Sequence, residues 1–458
     1  MEERKYSQAE YIFKYSKVIV LWIILAVVIG IACGFTGALF YNGVAGATSL
    51  RLENPWLLYA LPLAGIAIVG IYKALNLEGK GTDTVIEKVR DGTPLRIALL
   101  PAIFIGTILT HLCGGSAGRE GAALQIGGCL GNGIGRVTRL SSSDLKIATM
   151  TGMAAFFSAI FGTPLTATIF VVMFVNVGTL HEMAIFPCFL ASWTAIWISE
   201  KFGVQAMHFD IAPPEPEPFM MLRMIVFGIL CGLVSTLMCG AFHGAGKLYE
   251  RVFKNSFIRV IAGGLLVILL TFIVGTRDYN GAGTEVIARA IENGEAFPAA
   301  FLLKILFTAV TLGAGYKGGE IVPTFFIGAT FGCVIGPLLG IPAGFAAAVG
   351  MVVMFAGATN TLIAPMFLAV EVFGISNLHL FAAAGVMSYI CSGYNGLYSS
   401  QNIRFSKLHS GEVNIRTNHN DRVDFGLPSL SLKQKKQKQQ KQNEPDDKAA
   451  DGEADQIE

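Results

Sequence analysis

GGSAGREG, residues 114–121, places an arginine and a glutamate side by side between two apolar stretches. The sequence LRIALLPAIFIGTILTHLC precedes it, and AALQIGGCLGNGIG follows it. Charged side chains at bilayer depth are costly, and they usually face protein, water or a functional site. Arg119 and Glu120 therefore indicate a functional site inside a membrane-embedded segment.

The composition of the chain is that of a polytopic membrane protein. Of its 458 residues, 53% are hydrophobic and 14% are charged, and the mean hydropathy is +0.57. A soluble domain carries about 25% charged residues. The 53 glycines suit close packing of helices in lipid, so membrane lipid is an expected partner. The formal net charge of +2 indicates no particular partner, and we expect no nucleic acid.

The first apolar segment predicts how the chain enters the membrane. Residues 18–40, VIVLWIILAVVIGIACGFTGALF, carry no charge and are long enough to span a bilayer. No small-residue cleavage site follows a short apolar core, so we interpret the segment as a retained span. Residues 73–96 contain five Lys or Arg residues, which predicts a cytoplasmic loop. We therefore expect a multi-pass protein of the cell membrane with cytoplasmic N- and C-termini.

Five regions are predicted along the chain. The tail is assigned by composition, because residues 433–458 are a lysine–glutamine run followed by an acidic run that cannot form a core. The predicted regions are an interfacial N-terminal segment at 1–17, a first membrane repeat at 18–202, a linker at 203–219, a second membrane repeat at 220–408 and a disordered cytoplasmic tail at 409–458.

Three pairs of similar segments define the two repeats. GKGTDTVIEKVRDG starts at Gly79, and GAGTEVIARAIENG starts 202 residues later. The opening stretch is matched by AGYKGGEIVPTFFIGATFGCVIG, with Glu320 placed 200 residues after Glu120. FGTPLTATIFVVMF is matched by LIAPMFLAVEVF, with Pro365 placed 201 residues after its counterpart. Repeats with glycine-interrupted segments in matching places indicate a transport site near the bilayer midplane.

The broken segments predict a site for an anion. A helix that begins inside the membrane has unpaired N–H groups and a partial positive charge at its N-terminus. Such an end binds anions without a cationic side chain. In GKGTDTVIEKV, Thr82 or Asp83 is a candidate helix cap, and Thr84 with Glu87 matches a capping box. Two half-helices per repeat could meet at one anion pathway.

These motifs resemble those of the CLC family of chloride channels and proton/chloride exchangers. GSAGREGA resembles the G-R/K-E-G-P motif, GGEIVP resembles G-x-F-x-P, and GKGTD takes the place of G-S-G-I-P. GLYSS, residues 396–400, resembles the segment that carries the anion-coordinating tyrosine, here Tyr398. The resemblance covers about residues 15 to 408. It implies an all-α polytopic fold of two inverted-topology repeats, half-helices meeting at a midplane anion site, and a homodimer.

The resemblance also implies roles for individual residues. Glu120 would be the gate, a carboxylate that occupies an anion site and moves aside when protonated. A structural ion pair with Arg119 is the alternative for this glutamate. Tyr398 would hold the central anion by its hydroxyl, or it could be merely interfacial. The outer anion site would be lined by backbone N–H groups of Arg119, Glu120, Gly121, Ile321 and Val322.

The sequence departs from the family's motifs at four positions. The anion-coordinating serine of G-S-G-I-P is Lys80, and the usual proline of that motif is Asp83. The phenylalanine of G-x-F-x-P is Ile321, and Ala122 follows G-R-E-G where proline is usual. Lys80 either adds a cation beside the anion site or extends its long side chain towards the cytoplasm.

The mode of transport and the ion remain open in the sequence. Proton-coupled members usually carry an internal glutamate one helix later, and Met173 and Phe174 occupy those positions here. This favours a passive chloride channel over proton/chloride antiport. Glu371 in LAVEVF is expected to face a helix partner or the protein interior. The alternative is a fluoride exporter working as a fluoride/proton antiporter, because that branch of the family also has GGSAGREG and a G-E-aliphatic sequence.

Chemistry other than transport has little support. Gly114–Gly118 fits G-x-S-x-G, so a remote alternative is an intramembrane serine hydrolase with Ser116 as nucleophile. It would need a histidine base, and nothing around the candidates His111, His243 and His379 supports one. The eight cysteines form no C-x-x-C pair, and the histidines show no ligand spacing. We therefore predict no enzyme, no metal and no cofactor, with chloride or another halide as the transported ion.

Overall fold

A computed structural model describes residues 8–212, 214–215, 217–408 and 411–418. Within these residues, six helices are long and apolar enough to cross a membrane, and seven further apolar helices are shorter. The helices before the inter-repeat connection are α1 Gln8–Glu53, α2 Leu61–Ala74, α3 Thr82–Asp91, α4 Leu99–Leu112, α5 Glu120–Val137, α6 Ser142–Phe161, α7 Pro164–Phe174 and α8 Ile185–Lys201. Those after it are α9 Met220–Val252, α10 Ser256–Val274, α11 Thr284–Glu292, α12 Ala300–Ala314, α13 Ile321–Ile335, α14 Ala343–Thr359, α15 Ile363–Phe373 and α16 Leu378–Cys391. Three short 3-10 turns lie at Pro55–Ala60, Glu182–Ala184 and Pro337–Leu339.

The two inverted repeats meet where α5 and α13 begin. Gly118 and Gly319, each two residues before its helix, exchange two backbone hydrogen bonds of 2.7 Å in an antiparallel bridge. Reciprocal bonds of this kind are what two chain segments related by a two-fold axis form. The bridge aligns the repeats with an offset of 201 residues, so Glu320 corresponds to Arg119 and Ile321 to Glu120. The match of Glu120 with Glu320 made from the sequence is therefore displaced by one residue.

Close helix packing holds each half-helix in place, and glycine makes it possible. A Cβ built on Gly127 of α5 would lie 2.2 Å from the carbonyl oxygen of Gly152 in α6. In the second repeat, a Cβ on Gly328 of α13 would lie 2.3 Å from the carbonyl oxygen of Gly350 in α14. Neither distance is possible for a real side chain, so each half-helix can lie against its neighbour only with glycine at the crossing.

A three-stranded sheet adds to the helical fold that the sequence predicted. β1 Asn176–Val177 pairs in parallel with β2 Asn402–Phe405, and β2 pairs antiparallel with β3 Glu412–Arg416. β3 lies in the region that we predicted to be a disordered tail from residue 409, and for residues 411–418 this prediction is wrong. The segment is ordered because its backbone finds partners in β2. The rest of the predicted tail, 419–458, lies outside the described residues.

The N-terminal boundary also differs from the prediction. We expected a separate interfacial segment at 1–17, but residues 8–17 belong to α1 and continue into the first span without a break. The stretch contains no glycine or proline that would end a helix. Residues 1–7 lie outside the described part of the chain.

Candidate anion pathway

Two cavities of similar size lie on either side of the junction between α5 and α13. The Glu120 cavity has a volume of about 540 Å³, and Tyr41, Arg119, Glu120 and Val322 are among its lining residues. The Lys80 cavity has a volume of about 550 Å³, and its lining includes Lys80, Asp83, Gln125, Glu320 and Tyr398. Of the predicted site residues, Arg119, Glu120 and Val322 line one cavity, and Lys80 and Tyr398 line the other. Gly121 and Ile321 line neither cavity but lie in the first turns of α5 and α13, between the two.

The position of α10 places the cavities at opposite faces of the bilayer. Ser256 and Arg259 in its first turn line the Lys80 cavity. Arg277 and Asn280, just after its last turn, line the Glu120 cavity. This apolar helix of 19 residues is about 28 Å long at 1.5 Å per residue, close to the thickness of the hydrocarbon core. The two cavities therefore open in opposite directions.

Glu120 begins α5, and its side chain is 0% exposed. Its Oε2 atom accepts a hydrogen bond of 2.9 Å from the backbone N–H of Arg119. Its Oε1 atom lies 3.4 Å from Nε of Arg119 and accepts no hydrogen bond from the described residues. The positive end of the helix dipole favours a negative charge at this position. Both roles proposed from the sequence fit this geometry, since the carboxylate sits at a helix N-terminus and also pairs with Arg119.

Arg119 is held on its other side by an aromatic ring. Its guanidinium carbon lies 4.3 Å from the centroid of the Tyr41 ring, a distance typical of a cation–π contact. The side chain is 18% exposed. Stacking on Tyr41 and pairing with Glu120 fix the guanidinium at the wall of the Glu120 cavity, where it adds positive charge to the path of an anion.

The backbone groups predicted to line the outer site come together at the junction. Ile321 and Val322 are the first two residues of α13, whose N-cap is Glu320, and Val322 lines the Glu120 cavity. A Cβ built on Gly118 would lie 2.7 Å from Oε2 of Glu120 and 3.1 Å from Cβ of Val322. The Glu120 carboxylate is thus close to the first turns of both half-helices.

Glu320 is a site residue that the sequence analysis did not assign. It lines the Lys80 cavity, and its Oε2 atom is buried without a hydrogen-bond partner among the described residues. A Cβ built on Gly121 would lie 3.0 Å from this atom, so the carboxylate lies against the start of α5. The junction therefore has a carboxylate on each side, Glu120 towards one cavity and Glu320 towards the other. The acid in GGEIVP was the available signal, but we used it only to align the repeats.

Tyr398 is buried, which is not the position of an interfacial tyrosine. Its side chain is 2% exposed and lines the Lys80 cavity. Its hydroxyl is buried and has no hydrogen-bond partner among the described residues. Its ring meets the ring of Phe174 edge-on, with centroids 4.9 Å apart. An unsatisfied buried hydroxyl costs about 1–3 kcal/mol, so this geometry favours a ligand or water at the hydroxyl.

The segment that carries Tyr398, residues 394–401 and here called the Tyr398 loop, is tied to the start of α3. Oδ1 of Asp83 accepts hydrogen bonds from the backbone N–H of Ser400 at 2.9 Å and from its hydroxyl at 2.6 Å. Oδ2 of Asp83 accepts a third bond of 3.1 Å from the hydroxyl of Ser399. The replacement of the family's proline by Asp83 thus has a structural consequence, because it anchors this loop to the first repeat.

The start of α3 differs from the prediction made from the sequence. Neither Thr82 nor Asp83 caps the helix. The N-cap is Gly81, whose N–H donates a hydrogen bond of 3.4 Å to the Thr84 hydroxyl. The capping box is therefore formed by Gly81 and Thr84, and not by Thr84 and Glu87 as predicted. The Thr82 hydroxyl instead accepts a bond of 3.1 Å from the Gln125 amide, which ties α3 to α5.

Lys80 lines the cavity that also contains Tyr398 and Glu320, and its side chain is exposed. Its ammonium group can therefore remain hydrated while it adds positive charge to the cavity. This position fits both interpretations made from the sequence.

Glu371 has a helix partner, as expected. Its carboxylate accepts hydrogen bonds from the backbone N–H groups of Leu165 and Thr166 at 2.8 and 2.9 Å, and from the Thr166 hydroxyl at 2.6 Å. It therefore caps the first turn of α7 from the other repeat. This carboxylate therefore links α15 to α7.

The geometry at Ser116 does not support a serine hydrolase. The side chain is fully buried, and its hydroxyl pairs with the Thr308 hydroxyl at 3.0 Å. Nδ1 of His111 lies 2.9 Å from the carbonyl oxygen of Thr107 in the preceding turn. Among the hydrogen bonds of the described residues, none joins Ser116 to a histidine, which this chemistry requires.

The fold and the site define the class of protein. Inverted repeats present helix N-termini at a buried junction between two cavities that open to opposite faces of a membrane, so this is a membrane protein that transports anions. Residues 64–393 match the family described as Voltage gated chloride channel, and the chain belongs to this CLC family. It is a halide transporter of that family.

Relatives and solved structures extend the match over most of the chain. The chain is 36% identical over 402 residues to a chloride/fluoride channel protein of Pseudomonas syringae pv. tomato, covering 85% of this chain and 88% of the relative. It is 26% identical over 381 residues to the H(+)/Cl(-) exchange transporter ClcA of Yersinia pestis bv. Antiqua, covering 76% and 79%. A solved CLC-type fluoride/proton antiporter is similar with a TM-score of 0.80 and 31% identity, over 84% of this chain and 98% of that chain. A slow cyanobacterial Cl-/H+ antiporter, at 18% identity and a TM-score of 0.70 over 81% of this chain and 94% of that chain, shares the fold.

Proposed function

We propose that this chain exchanges fluoride for protons, with Glu120 as the protonatable gate. The observation that carries the proposal is the pair of carboxylates at the helix junction, Glu120 lining one cavity and Glu320 the other. Coupled exchange needs groups that take up and release protons on the path between the two solutions, and carboxylates do so readily. Glu120 and Glu320 supply such groups on both sides.

Glu320 changes the balance between channel and exchanger. The sequence favoured a passive channel because Met173 and Phe174, which carry no titratable group, occupy the positions of the family's internal acid. Glu320 lines the Lys80 cavity together with Tyr398, whose ring contacts Phe174. A titratable group is therefore present on the side of Phe174, although not at the position of the family's internal acid. The reason for preferring a channel no longer holds.

The preference for fluoride rests on likeness and on the chemistry of the site. The relative at 36% identity is named a chloride/fluoride channel protein, and the solved structure at 31% identity is a fluoride/proton antiporter. Fluoride is the smallest halide and the strongest hydrogen-bond acceptor among them. It therefore suits a site made of hydrogen-bond donors, namely the Tyr398 hydroxyl, helix N-termini and a carboxylic acid when protonated.

In the proposed cycle, Glu120 and the anion compete for one position. The ionised carboxylate is favoured at the N-terminus of α5 by the helix dipole. Protonation removes its charge, so the side chain leaves and fluoride takes the position. Tyr398 donates a hydrogen bond to the anion on the side of the Lys80 cavity. Glu120 then releases its proton on the side of the Lys80 cavity, where Glu320 is the acceptor. The ionised carboxylate returns to its position and displaces the anion towards the Glu120 cavity, so a proton and the anion have crossed in opposite directions.

We place the Lys80 cavity on the cytoplasmic side, because the basic loop 73–96 lies at its mouth. Both chain termini are then cytoplasmic. The family resemblance also leads us to expect a homodimer with one pathway per subunit. Cross-linking in bilayers tests this, and recovery of monomers alone would contradict it.

Flux from proteoliposomes tests the proposed function. Vesicles containing the purified full-length protein are loaded with fluoride or with chloride, and internal pH is recorded as the halide leaves. We expect outward fluoride movement to drive protons inward against their gradient, and an equal chloride gradient to drive fewer protons. Glu120→Gln should abolish proton movement while fluoride still leaves.

Three outcomes would refute the proposal, each in a different part. Equal proton movement with chloride would make the protein a proton/chloride exchanger. Fluoride or chloride flux with no proton movement in the wild-type protein would make it a passive channel. Unchanged proton coupling in Glu120→Gln would reject Glu120 as the gate.

A further inference from the structure

The chain beyond the last helix returns to the anion pathway. α16 ends at Cys391, and the Tyr398 loop leads into β2. Residues 412–418, which are β3 and the two residues after it, are here called the C-terminal strap. The strap runs back along β2 and reaches the Tyr398 loop. The strap follows the segment that carries the proposed anion ligand.

Asn418 forms a cluster of hydrogen bonds with the Tyr398 loop. Its side-chain Oδ1 accepts a bond of 3.0 Å from the backbone N–H of Gly396, and its Nδ2 donates a bond of 2.7 Å to the carbonyl oxygen of Gly396. Its own backbone N–H donates to the carbonyl oxygen of Tyr394 at 3.2 Å. The amide thus pairs with both backbone groups of a residue two positions before Tyr398.

Thr417 fixes the other end of the same loop. Its backbone N–H and its hydroxyl both donate to the carbonyl oxygen of Gln401, at 3.0 and 3.1 Å. The Gln401 amide in turn donates to the carbonyl oxygens of Phe174 and Thr359, at 2.9 and 3.0 Å. A Cβ built on Gly396 would lie 2.8 Å from Cγ2 of Thr417, so the strap and the loop are in close contact.

The second proton of the Asn418 amide has a defined acceptor. Nδ2 lies 3.3 Å from Nε2 of His243, a residue of α9 that lines the Lys80 cavity. Nδ1 of His243 lies 2.8 Å from the carbonyl oxygen of Cys239, which can only accept. The neutral ring therefore carries its proton on Nδ1 and accepts at Nε2. All three polar groups of the Asn418 amide are satisfied in this arrangement.

We infer that Asn418 is a positioning residue for Tyr398, through which the C-terminal strap sets the halide preference of the pathway. The inference rests on the proposed role of Tyr398 as an anion ligand. Asp83 holds the loop on the C-terminal side of Tyr398, at Ser399 and Ser400. Asn418 holds it on the N-terminal side, at Gly396. Without the Asn418 bonds, the N-terminal side of Tyr398 keeps the bond of 2.8 Å from the Leu397 N–H to the carbonyl oxygen of Ala358 but loses its tie at Gly396, so the hydroxyl is held less firmly at one distance from the anion.

The test compares two asparagines of the strap in the full-length chain. Asn418 and Asn414 both have a left-handed backbone, with φ of 61° and 44°, so glycine replaces either one without backbone strain. Asn414 is exposed, and among the described residues its side chain bonds only to the side chain of Asn402 across the sheet, so Asn414→Gly is a matched control. The measured quantity is the ratio of fluoride to chloride turnover in proteoliposomes.

We expect Asn418→Gly to change this ratio about three- to tenfold, since two hydrogen bonds that fix the loop are lost. Asn414→Gly should leave the ratio as it is in the wild-type protein. In a Tyr398→Phe background, Asn418→Gly should cause no further change, because the hydroxyl through which it acts is absent. A merely structural role would lower protein yield or turnover for both ions alike.

The outcomes separate this inference from the proposed function. If Tyr398→Phe changes the ratio and Asn418→Gly does not, the positioning role is wrong and the ligand role stands. If Tyr398→Phe itself leaves the ratio unchanged, the ligand role is wrong. If Asn418→Gly does not fold, Asn418→Asp is measured by the same criterion, because it keeps the acceptor for Gly396 and loses both donated bonds.

Discussion

Replacing Asp83 gives a quantitative test of how the Tyr398 loop is held. Asp83→Ala removes the acceptor of three hydrogen bonds from Ser399 and Ser400. Ser400 is buried, so leaving its backbone N–H without an acceptor costs about 1–3 kcal/mol. The Ser399 hydroxyl lines the Lys80 cavity and can turn to water there, so its bond contributes about 0.5–1 kcal/mol, and the bond of the buried Ser400 hydroxyl contributes about 1 kcal/mol. The free energy of unfolding should therefore fall by about 3 kcal/mol.

Asp83→Asn removes the negative charge of the side chain but keeps its size and shape. The amide oxygen can still accept both bonds from Ser400, so this variant should lose only about 1 kcal/mol, from the weaker neutral bonds. Asp91→Ala is the matched control on the same helix, because among the described residues the side chain of this exposed aspartate forms only a 3.8 Å ion pair with Arg90. Arg90 keeps its own bond of 3.1 Å to the carbonyl oxygen of Ser400 in this variant. A loss below about 0.5 kcal/mol is expected for it.

The free energy of unfolding of the three variants is measured in detergent micelles. Fluoride turnover in proteoliposomes shows whether the loss of the anchor also affects Tyr398. The expected order of destabilisation is Asp83→Ala, then Asp83→Asn, then Asp91→Ala, with fluoride turnover reduced in the same order. Equal stability of Asp83→Ala and Asp91→Ala would refute the reasoning, since it would mean that the three bonds do not anchor the loop.

Three further predictions concern titratable and charged groups, two in the Lys80 cavity and one, Lys407, after β2. Glu320→Gln should reduce fluoride-driven proton movement by about 100-fold while fluoride flux persists, because a general acid–base group is lost; unchanged coupling would remove Glu320 from the proton path. Lys80→Met should lower anion flux from the Lys80 side about two- to threefold at low ionic strength and have no effect in high salt, because a hydrated surface charge is screened; an equal loss at high salt would indicate direct coordination. Burial lowers the pKa of Lys407 to about 7, against about 10.4 for an unfolded lysine. Between these values the unfolded chain holds a proton that the folded chain has lost, so this residue makes stability rise with pH by at most about 1.4 kcal/mol per pH unit. As the pH rises from about 7 to about 10, the free energy of unfolding of the wild type should increase relative to that of Lys407→Met. A difference between the two proteins that does not vary with pH would contradict the lowered pKa of Lys407.

The class of protein followed from the sequence. Long uncharged segments and the 200-residue repeat indicate a membrane transporter, because span length and helix periodicity are local properties of the chain. Glu120 and Tyr398 were assigned through short motifs that keep their spacing. Tyr398 and Glu120 each line one of the two cavities, and their roles as anion ligand and gate stay predictions.

Only the tertiary structure placed Glu320, Asp83 and Asn418 in relation to the pathway. The bond between Asp83 and Ser400 joins residues 317 positions apart, and no local pattern encodes such a partner. The C-terminal strap was assigned to the tail because it follows the last apolar segment, and the prediction of disorder came from the composition of residues 433–458. It is ordered only because β2 and the Tyr398 loop supply the partners of its backbone. Motif spacing indicates roughly where a helix begins, although at α3 it gave the wrong N-cap, because glycine and capping residues act locally. The contact between two distant helix ends depends on how the repeats pack against each other.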